Sequence, residues 1–598
     1  MDPDEVPSFS GTTKRSEEES KLMSQAKDAF EREEFQECLR TLDKLEATVG
    51  SNLKIRHNKA IAEFYISGCK DHNELLLKLE NLTPPEETKE KPIIFSTKDI
   101  SLSPVARYNI SLIYFYKQKL HTAFSILSPL IDTLFDLDEE TSVAVGILMV
   151  NILLKRNQIN RAKGLLDLMD AQFKLRNEKS LPSDGGASNT IVSTEISQEL
   201  EFMSLLTQVL RKENVVVSDG TLEESVLKAH QFYLLNDFQM ASKQLLKISR
   251  NNYPREIRKD LDICIANNMG IIHLRVRHYA IAAKFFQNAI SFDRNVVNNL
   301  HVAPLHQLGS IRIVEILYNL GIAMLHLKRP KEAFQCFLVP LEKYHSNPRL
   351  WLRLAEACIM DFEMCLSERK NINPASYSET CKKYNRDYTK SLKQEPSLEY
   401  AVLCLRSSLT LVRFYKSQMT TSTYENTEEE NKSWQNIKDY NFCSPSMPVS
   451  KDSFDSMLSA IYAAYSYVSL RIGDYVMAYE AALELLRVEN LSDAYKMLAH
   501  MYLGQAFTLM NRFADARRHF EPSLFSSLNA FDFETKNWKV KSLDAAQAIA
   551  RYNLVVVMLM QGEYEAAGNL LRTCTHPIVA SNVMDLKSYL DGRVISGE

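Results

Sequence analysis

Residues 317–337 read LYNLGIAMLHLKRPKEAFQCF, and their spacing decides the fold. A small residue, Gly321, is followed twelve positions later by Ala333 and four positions after that by Phe337. Apolar residues recur at helical intervals on both sides of Leu327-Lys328-Arg329-Pro330, which has the chemistry of a turn. Two helices joined by so short a turn must lie antiparallel. Where their backbones come closest only small side chains fit, which accounts for Gly321 and Ala333. The aromatic residue after the alanine is expected to fill the groove toward the next hairpin.

The same offsets recur along the chain: Gly270, Ala282 and Phe286; Gly504, Ala516 and Phe520; Ala229, Ala241 and Leu245; Ser111, Ala123 and Leu127; Ala26, Cys38 and Leu42. Val555, Ala567 and Leu571 follow with a bulky first member, and Ser466, Ala478 and Ala482 with a small third. Ala26 and Ala60 stand 34 residues apart, as do Gly321 and Ala355. This is the period and the pattern of tetratricopeptide (TPR) repeats. The expected fold is therefore all-α, a TPR helical-hairpin solenoid with polar loop insertions. Trp351 lies four residues before Ala355, but the second helix of its hairpin is displaced by a polar stretch and resumes near Glu399. Composition divides the chain into an acidic disordered N-terminus (1–20), an N-terminal array (21–175), a linker (176–194) and a central array (195–416, interrupted at 367–396). A disordered insertion (417–451) and a C-terminal array with a closing helix at Val583 to Leu590 (452–598) follow. Further breaks are expected at Thr83 to Thr97, Asn295 to Ser310 and Ser523 to Lys541.

Composition agrees with helices. Only 17 of 598 residues are glycine and 19 proline, which disfavours folds built on many tight turns. Hydrophobic residues make up 45% and the net charge is −4, so the chain can bury a large core and carries no global field toward nucleic acid or anionic lipid. The ten cysteines are scattered without a C-x-x-C pair and read as reduced thiols of a cytosolic or nuclear protein. Met1 to Ser20 is polar and acidic, unlike a signal peptide, and the longest apolar run, Leu554 to Met560, is too short to span a bilayer. There is no phosphate-binding loop, dinucleotide fingerprint, H-E-x-x-H motif or G-x-S-x-G elbow. His273 and His278 are five apart, as are His301 and His306, which is wrong for a helical metal pair. The acidic runs Glu17 to Glu19 and Glu428 to Glu430 lie in polar segments and read as solvated. No catalytic, cofactor or metal site is expected.

In TPR units the first helix of each hairpin lines an inner groove. The position two before its small residue is Asn58, Asn109, Asn268, Asn319 or Asn553 in different units, and Arg353 in the Trp351 unit, with Arg349 one turn earlier. An asparagine amide both donates and accepts, so it can pair with the backbone of an extended peptide. Asn268, Asn319, Arg349 and Arg353 resemble most of a TPR carboxylate clamp, although Cys264 stands where such clamps carry lysine. The competing reading pairs the arginines with nearby acids such as Glu356. Two basic runs, His273 to His278 and Arg517-Arg518-His519, offer an RNA-contact alternative without an RNA-recognition signature.

The stretch 344–359, YHSNPRLWLRLAEACI, together with the residues around Gly321 and Ala333, resembles the subunit-10 family of the CCR–NOT mRNA deadenylase complex. The similarity is most specific from Glu315 to Ile359 and looser elsewhere. The resemblance implies a non-catalytic TPR adaptor that binds subunit 11 and the N-terminal region of the large scaffold subunit, while other subunits shorten poly(A). It also implies roles in mRNA decay and gene regulation in the cytoplasm, with the nucleus as a further compartment. A TPR adaptor of another assembly, such as a chaperone-type peptide binder, and an RNA-binding TPR protein are the alternatives.

Overall fold

The computed structural model describes residues 17–50, 52–82, 103–156, 158–179, 187–213, 215–250, 255–297, 305, 312–369, 395–421, 453–529, 540 and 542–596. Among them are twenty-four α-helices and no strand. The first thirteen are α1 (Glu17–Glu31), α2 (Phe35–Val49), α3 (Leu53–Ile66), α4 (His72–Glu80), α5 (Pro104–Tyr116), α6 (Leu120–Asp132), α7 (Glu139–Lys155), α8 (Ile159–Lys179), α9 (Ala187–Leu210), α10 (Leu222–Leu234), α11 (Phe238–Arg250), α12 (Arg255–Arg275) and α13 (Tyr279–Val297). They are followed by α14 (Ile313–His326), α15 (Pro330–Lys343), α16 (Pro348–Arg369), α17 (Leu398–Thr421), α18 (Ser453–Ile472), α19 (Tyr475–Leu486), α20 (Asp493–Leu509), α21 (Phe513–Phe520), α22 (Leu543–Met560), α23 (Tyr564–Arg572) and α24 (Ala580–Ser596). The chain groups into two units: Met1–Ile272 with Asn288–Ile313, and His273–Gln287 with Val314–Asn436 and Tyr440–Glu598. Within each unit consecutive helices pack as antiparallel hairpins, as in α5 with α6 and α20 with α21.

One turn closes most hairpins. Two residues past the first helix the backbone enters the left-handed region: Glu33, Gln118, Asn236, Arg277, Lys328 and Asn511 all have φ between 57° and 65°. The next N–H then bonds five residues back, as in Arg329 N–H to the Met324 carbonyl (2.9 Å) and Arg512 N–H to Phe507 (2.8 Å). This is the Schellman arrangement, which satisfies carbonyls the ending helix would leave unpaired. Glycine is the residue that adopts this conformation without strain, yet among the described residues only Gly68, Gly473 and Gly562 supply it at the equivalent turns. Lys328→Gly is therefore expected to raise stability by about 0.5–1 kcal/mol, read by denaturant unfolding. A decrease would show that the lysine side chain contributes more than the strain it imposes.

Inside a hairpin the spacing acts differently from the expectation. A Cβ added to Gly321 would lie 2.6 Å from the ring of Phe337, and one added to Gly504 would lie 2.5 Å from Phe520. The aromatic ring thus seats on the small residue of its own hairpin, and Phe337 also contacts Tyr318 there at 5.7 Å. The contact toward the next hairpin comes from the neighbouring residue, with Phe334 meeting Tyr400 of α17 edge-on at 5.4 Å. The reason is helical geometry: one residue after Ala333 points about 100° around the helix from it. In the first unit, Ser111 Oγ donates to the carbonyl of Ala123 at 2.9 Å, a direct link between two members of the pattern.

The displaced partner of the Trp351 helix is α17. Ala401, Cys404 and Leu405 are fully buried there. Two hydroxyls bind the helix to the start of α16 and the residues before it: Ser408 donates to Pro348 (2.8 Å) and Tyr415 to Ser346 (3.1 Å). The pair α7 and α8 is a hairpin that the spacing search missed, because the small position is occupied by Val150 ahead of Ala162 and Leu166. Several expected boundaries also move. Helix α1 begins at Glu17, inside the expected disordered N-terminus; α8 runs to Lys179 and α9 begins at Ala187, both within the expected linker; α16 reaches Arg369 and α17 reaches Thr421, each into an expected insertion. Polar residues extend a helix readily once its inner end is packed, so polarity alone misplaces an end. The expected break at Ser523 to Lys541 starts with a short 3-10 turn, Pro522–Phe525, that buries Phe525 completely. The core of the C-terminal hairpins is a single cluster in which Met497, Phe507, Phe520, Val555 and Leu571 take part. Helix α22 is long and apolar enough to cross a membrane by length and composition, which a count of contiguous apolar residues misses, yet it serves as an inner helix of that cluster.

Candidate partner-binding groove

The first helices of successive hairpins in the second unit, α14, α16, α18 and α20, carry a connected strip of polar and aromatic side chains. Its centre is Arg353 on α16, paired with Glu356 at 2.5 Å one turn later. Tyr318 of α14 lies within electrostatic reach of the Arg353 guanidinium. The Glu356 charge holds Arg353 in its protonated form more firmly than usual, while burial raises the Tyr318 hydroxyl above its ordinary value. Tyr495 of α20 feels both members of the ion pair, and Tyr502, two turns along the same helix, feels Glu363 and Arg471. Glu363 of α16 and Arg471 of α18 pair at 3.6 Å, with both side chains nearly half exposed. At the other end His326 stacks on Tyr279 at 4.2 Å and 5°. Burial, then the Arg353 charge, lowers the His326 pKa, with Glu356 acting the other way.

Such a strip suits a peptide better than a small molecule. The partly exposed Tyr495 and Tyr502 offer ring faces with a hydroxyl tip, and the ion pairs offer both signs of charge at fixed places. By contrast, a pocket of about 230 Å³ lined by Lys328, Arg329, Pro330, Lys331, Asp361 and Cys365 lies below the volume usual for ligand sites.

The asparagines singled out by spacing fall in several settings. Asn319 is buried at 7% exposure on α14, beside the equally buried Tyr318, so neither side chain is open to a partner. Asn268 lies in the first unit and its Oδ1 accepts from Asn267 Nδ2 at 3.4 Å. The expected clamp of Asn268, Asn319, Arg349 and Arg353 is therefore divided between the two units. Arg349 forms no ion pair among the described residues, and its backbone N–H is taken by Asn347 Oδ1 at 2.9 Å. Asn58 and Asn109 are joined through a residue that spacing did not indicate. His57 Nδ1 lies 3.1 Å from Asn58 Oδ1, and its Nε2 lies 3.1 Å from Asn109 Nδ2. A proton on Nδ1 satisfies both contacts, so the imidazole couples α3 to α5. Asn553 faces Met501 Sδ across α22 and α20 at 3.7 Å.

The basic runs are mostly neutralised. Arg517 pairs with Glu563 (2.8 Å) and Arg518 with Asp515 (3.5 Å). His273 stacks on Phe285 at 5.4 Å, and its ring lies 5.9 Å from that of His278. His301 and His306 lie outside the described residues, as do Glu428 to Glu430.

Comparison with known proteins agrees with this architecture. Residues 456–594 match a family model described as the CNOT10 tetratricopeptide repeat domain. The chain is 43% identical to CCR4-NOT transcription complex subunit 10 of Drosophila melanogaster over 96% of each chain. The chain belongs to the CCR4-NOT subunit 10 family. Members from Xenopus laevis, subunits 10-B and 10-A, are 25% and 26% identical, each covering 94% of this chain and 86% of the relative. Across this family member the TPR fold thus extends beyond the matched residues 456–594, since the same hairpins and turns recur from α1 onward.

Proposed function

We propose that this chain is a non-catalytic TPR scaffold subunit of the CCR4-NOT complex, acting in mRNA deadenylation and decay by holding partner subunits. The observation that carries the reading is the 43% identity over 96% of both chains, a full-length correspondence and not that of one shared repeat. The partners it would hold are subunit 11 and the N-terminal region of the large scaffold subunit, in the cytoplasm and the nucleus. The strip of Arg353, Glu356, Tyr495, Glu363 and Arg471 supports this role, because a segment laid along it buries the half-buried Tyr495 ring while the charges set its register. A chaperone-type clamp is less favoured: Arg353 already has a carboxylate partner, which an incoming terminal carboxylate would have to displace.

Affinity purification from RNase-treated cell extract tests both levels. The wild-type chain is expected to recover CCR4-NOT subunits. The variant Arg349→Glu/Glu363→Lys, which changes surface charges without touching the core, is expected to lose at least tenfold of that recovery. Equal recovery by both would move the docking surface off the strip. Recovery of another assembly in place of CCR4-NOT subunits would refute the scaffold reading.

A further inference from the structure

The connection from α13 to α14 runs through residues 298–312, and one of its residues has a defined seat in the first unit. Leu305 is 8% exposed and joins a cluster with Phe64 of α3, Leu76 and Leu79 of α4, Ile110 of α5 and Ile126 of α6. Its backbone N–H donates to the carbonyl of Cys69 at 2.9 Å. Cys69 ends the α3–α4 turn in the left-handed conformation, at φ 61°. Lying between two helices, it has a carbonyl that no helical ladder claims. Leu305 accordingly groups with the first unit.

One apolar knob plus one main-chain hydrogen bond is the chemistry by which linear motifs are recognised. The knob sits among residues far earlier in the sequence, so the recess is built by α3 to α6 and filled from elsewhere in the chain. We propose that this recess is a linear-motif site selecting a leucine side chain with a free backbone N–H, and that Leu305 is its occupant in cis. A tethered occupant has a high effective concentration, so a segment of the same chemistry arriving from outside must compete with Leu305. Polar motifs are disfavoured there, since the cluster offers no side-chain partner among Phe64, Leu76, Leu79 and Ile110.

The test uses the full chain and a fluorescein-labelled synthetic peptide of residues 298–312, read by anisotropy. Leu305→Asp in the protein empties the recess. The peptide is expected to bind this variant saturably and to bind wild type at least tenfold more weakly, and a peptide carrying Leu305→Asp should fail to bind either. In hydrogen exchange, amides of residues 60–82 should lose protection in the variant and regain it when the peptide is added. Absence of binding to a folded variant, equal binding by the two peptides, or equal binding to both proteins would each overturn the proposal. If the variant does not fold, the wild-type protein decides. A Leu305 amide protected well above the unstructured rate supports the seat, and one exchanging at that rate overturns it.

Discussion

Gly504→Val is expected to destabilise the C-terminal hairpins by about 3 kcal/mol, the upper end for overpacking a tight core. The Cβ alone would lie 2.5 Å from two ring atoms of Phe520. That ring is 1% exposed and held in the cluster with Phe507, Ala516 and Val555, so it has nowhere to move. Helix propensity works the other way, since glycine inside a helix is less favourable than alanine by about 1 kcal/mol. A destabilised Gly504→Ala would therefore already show that the clash outweighs the backbone gain. The decisive measurement is a double-mutant cycle by denaturant unfolding. Phe520→Leu should recover a large part of the loss in the valine background, because it removes the atoms in collision. Additive losses would place the cause elsewhere than at this contact, as would a valine variant within about 0.5 kcal/mol of wild type.

Acid is expected to open the same region through a histidine pair. His500 of α20 and His519 of α21 face each other Nδ1 to Nδ1 at 2.9 Å. The His519 ring stacks on Phe507 at 5.6 Å, and Phe525 lies against His500 at 6.1 Å. One nitrogen must donate and the other accept, so both rings cannot be cationic in the fold. Burial, reinforced by the His519 charge, pushes the His500 pKa down to about 4. Burial also lowers His519, with Arg518 lowering and Asp515 raising it. Above neutral pH both folded and unfolded chains carry neutral imidazoles, and this pair adds no pH dependence. As pH falls through the ordinary value near 6.5, the unfolded chain takes up a proton that the folded chain refuses, so stability drops until about pH 4. The expected loss is about 2–3 kcal/mol, at 1.36 kcal/mol per unit with allowance for partial exposure. Local opening measured by hydrogen exchange over residues 500–525 should follow this course, and His500→Phe should flatten the pH 4–6.5 portion. An unchanged profile in His500→Phe would assign the acid sensitivity to carboxylates instead.

How much of this was legible beforehand differs from residue to residue. The offsets from Gly321 to Ala333 and Phe337 are set by a helical period and one turn length, so they appear in sequence as fixed intervals. The turn at Leu327 to Pro330 was legible because a proline marked it. At Glu33, Gln118 and Asn511 the same left-handed turn is imposed on ordinary residues by the packing of the helices it joins. The α7–α8 hairpin was hidden because Val150 is large where the pattern wants a small side chain. At the groove, spacing located Arg353 but not Tyr318 and Tyr495, which feel its charge from other helices. It also passed over His57, the residue that joins Asn58 to Asn109.

The sequence by itself thus determined the helical hairpin, its repetition and its family, because those depend on intervals within about 34 residues and on identities that need no third dimension. Tertiary structure alone decided which small residue each aromatic ring covers, that His500 and His519 face each other, and that Leu305 joins a cluster with Phe64. Each of these depends on groups whose approach is set by how helices pack, and no rule of spacing along the chain carries that distance.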